Sequence, residues 1–253
     1  MIEIIIIVYY IMNVLELFSG TRSVGKCCDK LGWNSVSVDM IMEADHKCDI
    51  MDFDYKQYPK NHFDIIWASP PCTNYSQLKK CWYGRKTKLH ETYTKEIHQD
   101  EMNESDKLIY KTLEIIDYFD CEYWFLENPY SSLKDRTVLK DKHYHIVDYC
   151  MYSDWGYKKR TCIWTNKKEW SGKVCDNNCN NMLVVDGQKL HRERMGTSKT
   201  VKDGNKIIRC NTADLRKKYK DYDNLQKYGL PNGTTLEQRY RVPEELIFSL
   251  FLD

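Results

Sequence analysis

No part of this chain is apolar for long enough to cross a bilayer as a helix. The longest uninterrupted apolar run is Ile4–Met12, far short of the ~18 residues such a span needs. That N-terminal stretch has neither a basic region before the run nor a small-residue cleavage site after it, so it does not read as a signal peptide. Internal repeats and low-complexity tracts are absent. The 11 cysteines are scattered and odd in number over 253 residues, whereas a secreted disulfide scaffold is shorter and evenly paired. These features predict an intracellular, reduced, soluble protein that is not secreted. A chain 42% hydrophobic is not disordered, and at this length it can bury a sizeable core without disulfides or metals.

Strong net charge is also missing, but the +1 total conceals an asymmetry. Lys167 to Lys227 holds 15 Lys/Arg against 8 Asp/Glu, a net +7, so the remainder carries −6. A basic segment on an acidic body fits a localised anionic partner, or equally a solvated lysine-rich face.

The first half alternates in pattern. Val14–Phe18, Ser35–Val38, Phe63–Ala68 and Tyr123–Leu126 are short apolar or β-rich runs. Val24–Leu31, closed by Gly32, and Ser105–Phe119 carry apolar residues at helical spacing. Such alternation predicts an α/β fold, a mostly parallel sheet with helices on both faces. Ligands of such sheets bind beyond the C-terminal strand ends. The expected organisation is an N-terminal extension over 1–11 with no assigned role and a main domain of 12–166 completed by 234–253. Between these lies a small basic region over 167–233. Val242–Phe251 reads as the closing helix, with Pro243 in its first turn.

Four constellations carry chemistry. In VLELFSGTRSVGK, Val14–Lys26, a strand runs through a glycine turn into a helix, letting backbone amides approach a ligand. Asp39 ends the next strand, about 20 residues on, where it suits ribose hydroxyls. Gly20 and Gly25 do not make a GxGxxG fingerprint, which points away from NAD towards another adenosine-containing cofactor. In ASPPCTNYS, Ala68–Ser76, a cysteine follows a rigid Pro-Pro at a strand end, as a nucleophile held at the rim would. In WFLENP, Trp124–Pro129, Glu127 reaches the same rim or acts as a turn residue. In YKKRTCIWTN, Tyr157–Asn166, cations lead into a strand and suit anion or carbonyl recognition.

Together and in order, these blocks resemble those of the cytosine-C5 DNA methyltransferase family, most of all its compact members in phages and large DNA viruses. The likeness covers about 165 residues of the first part and the C-terminal end. It implies a Rossmann-like S-adenosylmethionine-dependent methyltransferase fold with a small target-recognition region. Cofactor contacts would come from Phe18, Ser19, Gly20, Thr21, Asp39, Met40, Asp49, Ile50 and Pro70. Cys72 would be the nucleophile, Glu127 the acid and Arg160 the basic group. Pro71, Ser76, Asn128 and Lys158 would line the substrate. The chain departs from the family pattern at three points: Arg22 stands where a second glycine is usual, Pro129 where valine is usual, and Lys158-Lys159-Arg160 where two spaced arginines are usual. The last leaves the register of the basic block open by one residue.

The implied activity is transfer of a methyl group from S-adenosyl-L-methionine to C5 of a cytosine flipped out of duplex DNA. Cytosine C5 is a poor nucleophile until a thiolate adds to C6, the role that fits Cys72. Charge driven towards N3 and O2 needs donors, the roles that fit Glu127 and Arg160. Double-stranded DNA is the expected partner of a monomer, with no membrane involved; a prokaryotic cytoplasm, or the cytoplasm or nucleus of a virus's host, is the expected compartment. Two alternatives change the substrate or remove the reaction: a tRNA cytosine-C5 methyltransferase, and a catalytically decayed nucleic-acid-binding protein. The long segment Gln77–Met102, with Lys79, Lys80, Arg85, Lys86 and Lys88, is expected to be the loop that closes over DNA, and the +7 segment to meet phosphates. No metal site is expected. Cys175, Cys179 and His191, with Cys162 or Cys210 nearby, are weak zinc candidates, because structural zinc usually shows two closely spaced ligand pairs and only one is present.

Overall fold

A computed structural model describes residues 11–185, 188–194, 198–203, 206–211, 232–233 and 236–253. The N-terminal extension lies outside these residues except for Ile11, and much of 195–235 does too. Six strands make one sheet: β1 (Asn13–Leu17), β2 (Asn34–Val38), β3 (Ile65–Ala68), β4 (Tyr123–Pro129), β5 (Tyr144–Asp148) and β6 (Arg160–Thr165). Their spatial order is β2-β1-β3-β4-β6-β5. The first four neighbours pair in parallel, whereas β6 runs antiparallel between β4 and β5. The sequence reading anticipated β1 to β4 and the strand after the basic block; β5 was not foreseen.

Alternation along each strand divides the core into two layers. Leu15, Leu17, Ile66, Ala68 and Leu126 face the helix α2 (Lys95–Phe119), which buries Ile109, Ile115, Ile116 and Phe119 against them. On the other face Val14, Ile65, Trp67 and Phe125 meet α1 (Ser23–Leu31), through Val24, Cys27 and Cys28, and the closing helix. Helix α3 (Leu236–Tyr240) precedes that closing helix, α4 (Glu244–Leu252). Pro243 is the residue before α4 rather than part of its first turn. Its ψ of 133° marks the end of extended chain. Trp33 stacks on Phe251, with ring centroids 5.7 Å apart, and Val242 N–H donates to Ser23 Oγ. The C-terminal end thus completes the layer that α1 begins.

Helix α2 starts ten residues earlier than the apolar spacing predicts. Thr94 caps it by accepting from Ile97 N–H, and its polar first turns are held by the loop before it. Lys79 pairs with Glu101 at 2.5 Å, Tyr93 O–H donates to Glu101, and Tyr83 Oη lies 2.7 Å from His98 Nδ1. The loop expected over Gln77–Met102 therefore ends at Thr94, and its residues 77–82 form a 3-10 turn.

Past residue 166 the chain stays against the sheet. Lys173 O accepts from Asp148 N–H, so this stretch runs along the free edge of β5. Gly172 permits the approach: a Cβ there would lie 2.4 Å from Ile146 O. Beyond it come the hairpin β7 (Met182–Val185) and β8 (Gln188–His191), the short β9 (Glu193–Arg194) paired with β12 (Asn232–Gly233), and the hairpin β10 (Ser198–Asp203) and β11 (Lys206–Asn211).

Candidate active site

Three loops at the C-terminal ends of β1, β3 and β4 build the site. After β1 the chain turns through three left-handed residues, Phe18 (φ 57°), Gly20 (φ 49°) and Arg22 (φ 54°). Arg22 adopts at some cost the conformation glycine takes freely, which is where the family pattern has its second glycine. Its guanidinium folds back over Gly25, where an added Cβ would lie 3.0 Å from it. The turn is fixed from below by Glu16. This buried carboxylate accepts from Val24 N–H at 3.1 Å and Gly25 N–H at 2.9 Å, capping α1. Burial pushes its pKa up from 4.5 to about 7, against the lowering effect of the two amides and of Arg22.

Asp39, at the end of β2, accepts from Gly20 N–H at 2.9 Å through one oxygen and from Ile41 and Met42 N–H through the other. It therefore joins the β1 and β2 loops. Beside it Met40, Ile41 and Met42 are exposed. Ser19 is buried, and its hydroxyl has no partner. Asp49 organises its own turn, accepting from Met51 N–H, and Ile50 packs into the core. Thr21 bonds Ser23 at the entrance to α1.

Cys72 follows β3. Its loop is latched to α2: Asn74 donates to Glu101 O and Ser105 Oγ, its own carbonyl meets His98 Nε2 at 2.8 Å, and Tyr75 O–H donates to the buried Asp106. Arg136 clamps Asp106 with both Nε and a terminal nitrogen. Pro70 is buried and Pro71 exposed, while Ser76 caps the next turn through Leu78 N–H. Asn128 ties this loop to β4 by donating to Pro70 O at 2.9 Å, and its own Oδ1, also buried, has no partner.

Glu127 and Asn128 are adjacent on β4 and both buried. Glu127 Oε1 accepts from Tyr149 O–H at 2.8 Å and from Lys159 Nζ at 3.2 Å. Lys159 also sits over the Tyr149 ring and donates to Arg239 O of α3. Burial raises the Cys72 thiol pKa; the Lys159 charge opposes the rise and Glu127 adds to it. The Cys72 thiol, the Glu127 carboxylate and the Lys159 cation thus act on one another electrostatically.

The structure does not bring Arg160, the expected basic group, to Glu127. Successive side chains of extended chain point to opposite faces, so Lys159, the residue before β6, faces Glu127 and Arg160 faces away. Arg160 instead binds Asp148 in two places, at 3.1 and 2.8 Å, with 41% of its side chain exposed. Lys158 joins it, 3.3 Å from the same carboxylate, so it is also turned away from the expected substrate side. Burial raises Asp148, but Arg160, the Cys175 amide and Lys158 outweigh it and hold its pKa below the ordinary carboxylate value. Lys159, Tyr149 and Asp148 were missed in the sequence reading. Only the adjacency of three cations signalled the first, and the last two belong to the unforeseen end of β5.

The weak zinc candidates do meet. Cys175, Cys179 and His191 come together with Cys150, a fourth residue not considered, whose ligand atoms all lie within 4.8 Å of one another. Cys162 packs instead in the core beside Trp164, and the side chain of Cys210 lies outside the described residues.

The model of the C-5 cytosine-specific DNA methylase family matches residues 38–144. A protein of Frog virus 3 (isolate Goorha) described as a probable DNA (cytosine-5)-methyltransferase is 38% identical over 175 residues, 68% of this chain and 79% of that protein. Among solved structures, the S. pombe Dnmt2 methyltransferase aligns with a TM-score of 0.37 and 14% identity, over 64% of this chain and 52% of that one. A SAM-dependent methyltransferase from Archaeoglobus fulgidus aligns with a TM-score of 0.35 and 12% identity, over 55% of this chain and 66% of that one. The chain thus spans about half the length of the first of these structures and about two thirds of the second.

Proposed function

The chain belongs to the C-5 cytosine-specific DNA methylase family and is by that membership a DNA (cytosine-5)-methyltransferase; we propose that it acts through a covalent Cys72 adduct, with Glu127 and Lys159 as the groups that manage charge on the base. The observation that carries this reading is the convergence of Cys72, Glu127 and Lys159 at the adjoining ends of β3, β4 and β6. Cys72 Sγ adds to C6 of the cytosine and opens C5 to methylation. The negative charge that arrives at N3 meets Glu127 through the carboxyl oxygen not engaged by Tyr149 and Lys159, and a proton shared between that oxygen and N3 offsets it. Lys159 takes the place expected of Arg160, balancing charge at O2 and favouring the Cys72 thiolate. Water then takes the C5 proton, N3 returns its proton to Glu127 and the Cys72 sulfur leaves as a thiolate, which restores the aromatic ring.

S-adenosyl-L-methionine, as methyl donor, supplies the electrophilic carbon. The loops fit it: the unpartnered Ser19 hydroxyl and the left-handed turn at 18–22 offer polar contacts. Asp39 stands where ribose hydroxyls would replace its loop amides, and Met40 to Met42 form an apolar rim for a flat base. Asn128 Oδ1, buried and unpartnered beside Glu127, is placed to receive the amino group of a cytosine.

Duplex DNA is the substrate we assign, with the loop before α2 closing on it; Trp82 is half exposed there, among Lys80, Arg85 and Lys86. No helix among the described residues is long and apolar enough to cross a membrane. The decisive experiment presents labelled methyl donor to duplex DNA and to tRNA in parallel, followed by bisulfite sequencing of the DNA. Transfer to C5 of duplex cytosine supports the reading. Transfer to tRNA alone replaces the substrate, and binding without transfer to either refutes an active enzyme.

A further inference from the structure

Three thiols and an imidazole converge just beyond the C-terminal end of β5, next to Asp148, which accepts from Cys175 N–H. Cys150 lies in the turn just after β5, Cys175 and Cys179 flank a tight turn, and His191 ends β8. His191 Nε2 is 3.7 Å from Cys175 Sγ and 3.5 Å from Cys179 Sγ. An imidazole nitrogen makes one hydrogen bond, so hydrogen bonding does not explain two sulfurs against it with a third close by. None of the three cysteines is in a disulfide. A tetrahedral ion with Zn–S of ~2.3 Å and Zn–N of ~2.05 Å sets sulfur and nitrogen about 3.6 Å apart, the separation found here.

We propose that Cys150, Cys175, Cys179 and His191 bind one structural zinc ion that fastens the start of the basic region to the catalytic sheet. Three soft thiolates and one imidazole select zinc over calcium or magnesium, and four protein ligands leave no open position for catalysis. Binding displaces the three thiol protons to solvent and changes no oxidation state.

The backbone that carries each ligand is held independently of any ion. Asn177, left-handed at φ 70°, turns the chain between the cysteines and directs its N–H at Cys175 Sγ, at 3.4 Å. Cys175 N–H donates to Asp148, and Lys158 donates to Cys175 O. Asn181 donates to Cys150 O and Ser153 O, while its carbonyl accepts from Arg192 N–H next to His191. Such a site secures what the strands alone do not. A two-stranded hairpin such as β7–β8 is marginal by itself, and the bond from Cys150 to His191 through the ion would pin it to the sheet edge. The scattered sequence positions explain why no paired motif is visible: one ligand comes from the sheet, two from a loop and one from a hairpin.

The test is metal analysis of the full chain purified from zinc-supplemented culture, together with titration of metal-free protein with cobalt(II). One zinc per chain is expected, absent from the Cys175→Ser/Cys179→Ser variant and retained in Cys81→Ser, whose exposed thiol lies outside the cluster. The cobalt protein should show the intense visible bands of a tetrahedral site with thiolate-to-metal charge transfer. Wild-type protein that takes up neither metal, or that gives only the weak bands of octahedral cobalt, overturns the proposal. So does zinc that survives in the double variant. The cobalt spectrum decides the matter even if that variant does not fold, and none of these readouts depends on methyl transfer.

Discussion

Lys159 and Glu127 meet across β6 and β4, Nζ 3.2 Å from Oε1, with both side chains buried and Tyr149 bonded to the same carboxylate oxygen. The next residue, Arg160, turns to the other face and binds Asp148. One residue of register therefore separates the cation paired with Glu127 from the one paired with Asp148.

That division can be tested by paired substitution. Removing one preorganised donor at developing charge typically costs about 10²–10³ in kcat, so Lys159→Gln should lose methyl transfer by that order. Its rate profile should also shift to higher pH, because the cation that favours the Cys72 thiolate is gone. Arg160→Gln should keep kcat and the profile while lowering Tm, since it removes a bidentate partner of the buried Asp148. Steady-state rates over a pH series separate the two cases.

Cys72→Ala should abolish transfer while leaving the thermal unfolding curve close to wild type, because its loop is held by Asn74 and Tyr75 rather than by the thiol. In wild type, kcat/KM should still be climbing at pH 9, burial having raised the thiol above its ordinary value. A plateau reached below pH 8 would contradict this.

Glu16 links stability to pH. Its folded pKa of about 7 lies above the ordinary 4.5, so the folded state holds the proton more tightly. Stability from this group is full below pH 4.5 and is lost as pH rises towards 7 and beyond. The loss is on the order of 3 kcal/mol for a shift of this size. Urea unfolding of Glu16→Gln between pH 5 and 8 should show that slope removed relative to wild type, whatever its baseline stability.

Gly172→Val should destabilise the chain by roughly 1–3 kcal/mol, the usual range for overpacking, because its Cβ would meet the Ile146 carbonyl at 2.4 Å. The loss should appear as a lower denaturation midpoint in urea. A neutral result would mean that the edge of β5 is free to move aside.

The positions of two candidate residues at one rim of the sheet are legible in the sequence. Strand ends finishing in Ser-Gly, Ser-Pro-Pro-Cys and Glu-Asn-Pro mark a parallel sheet's ligand-bearing edge, and Cys72 and Glu127 lie on it. The polar start of α2 was not readable, because it is held by partners in the preceding loop rather than by an apolar stripe. Nor was β5, whose five residues lie at the sheet edge.

The sequence alone determined the alternation of strands and helices and the order of the chemical blocks, because these depend on residue type and local spacing. Tertiary structure decided which cation faces the carboxylate and which four side chains share one point near Asp148. Side chains on a strand alternate with a period of two, so a shift of one residue reverses every face. Spacing along the chain leaves that register open, and only the hydrogen-bonded pairing of β6 with its two neighbours settles it.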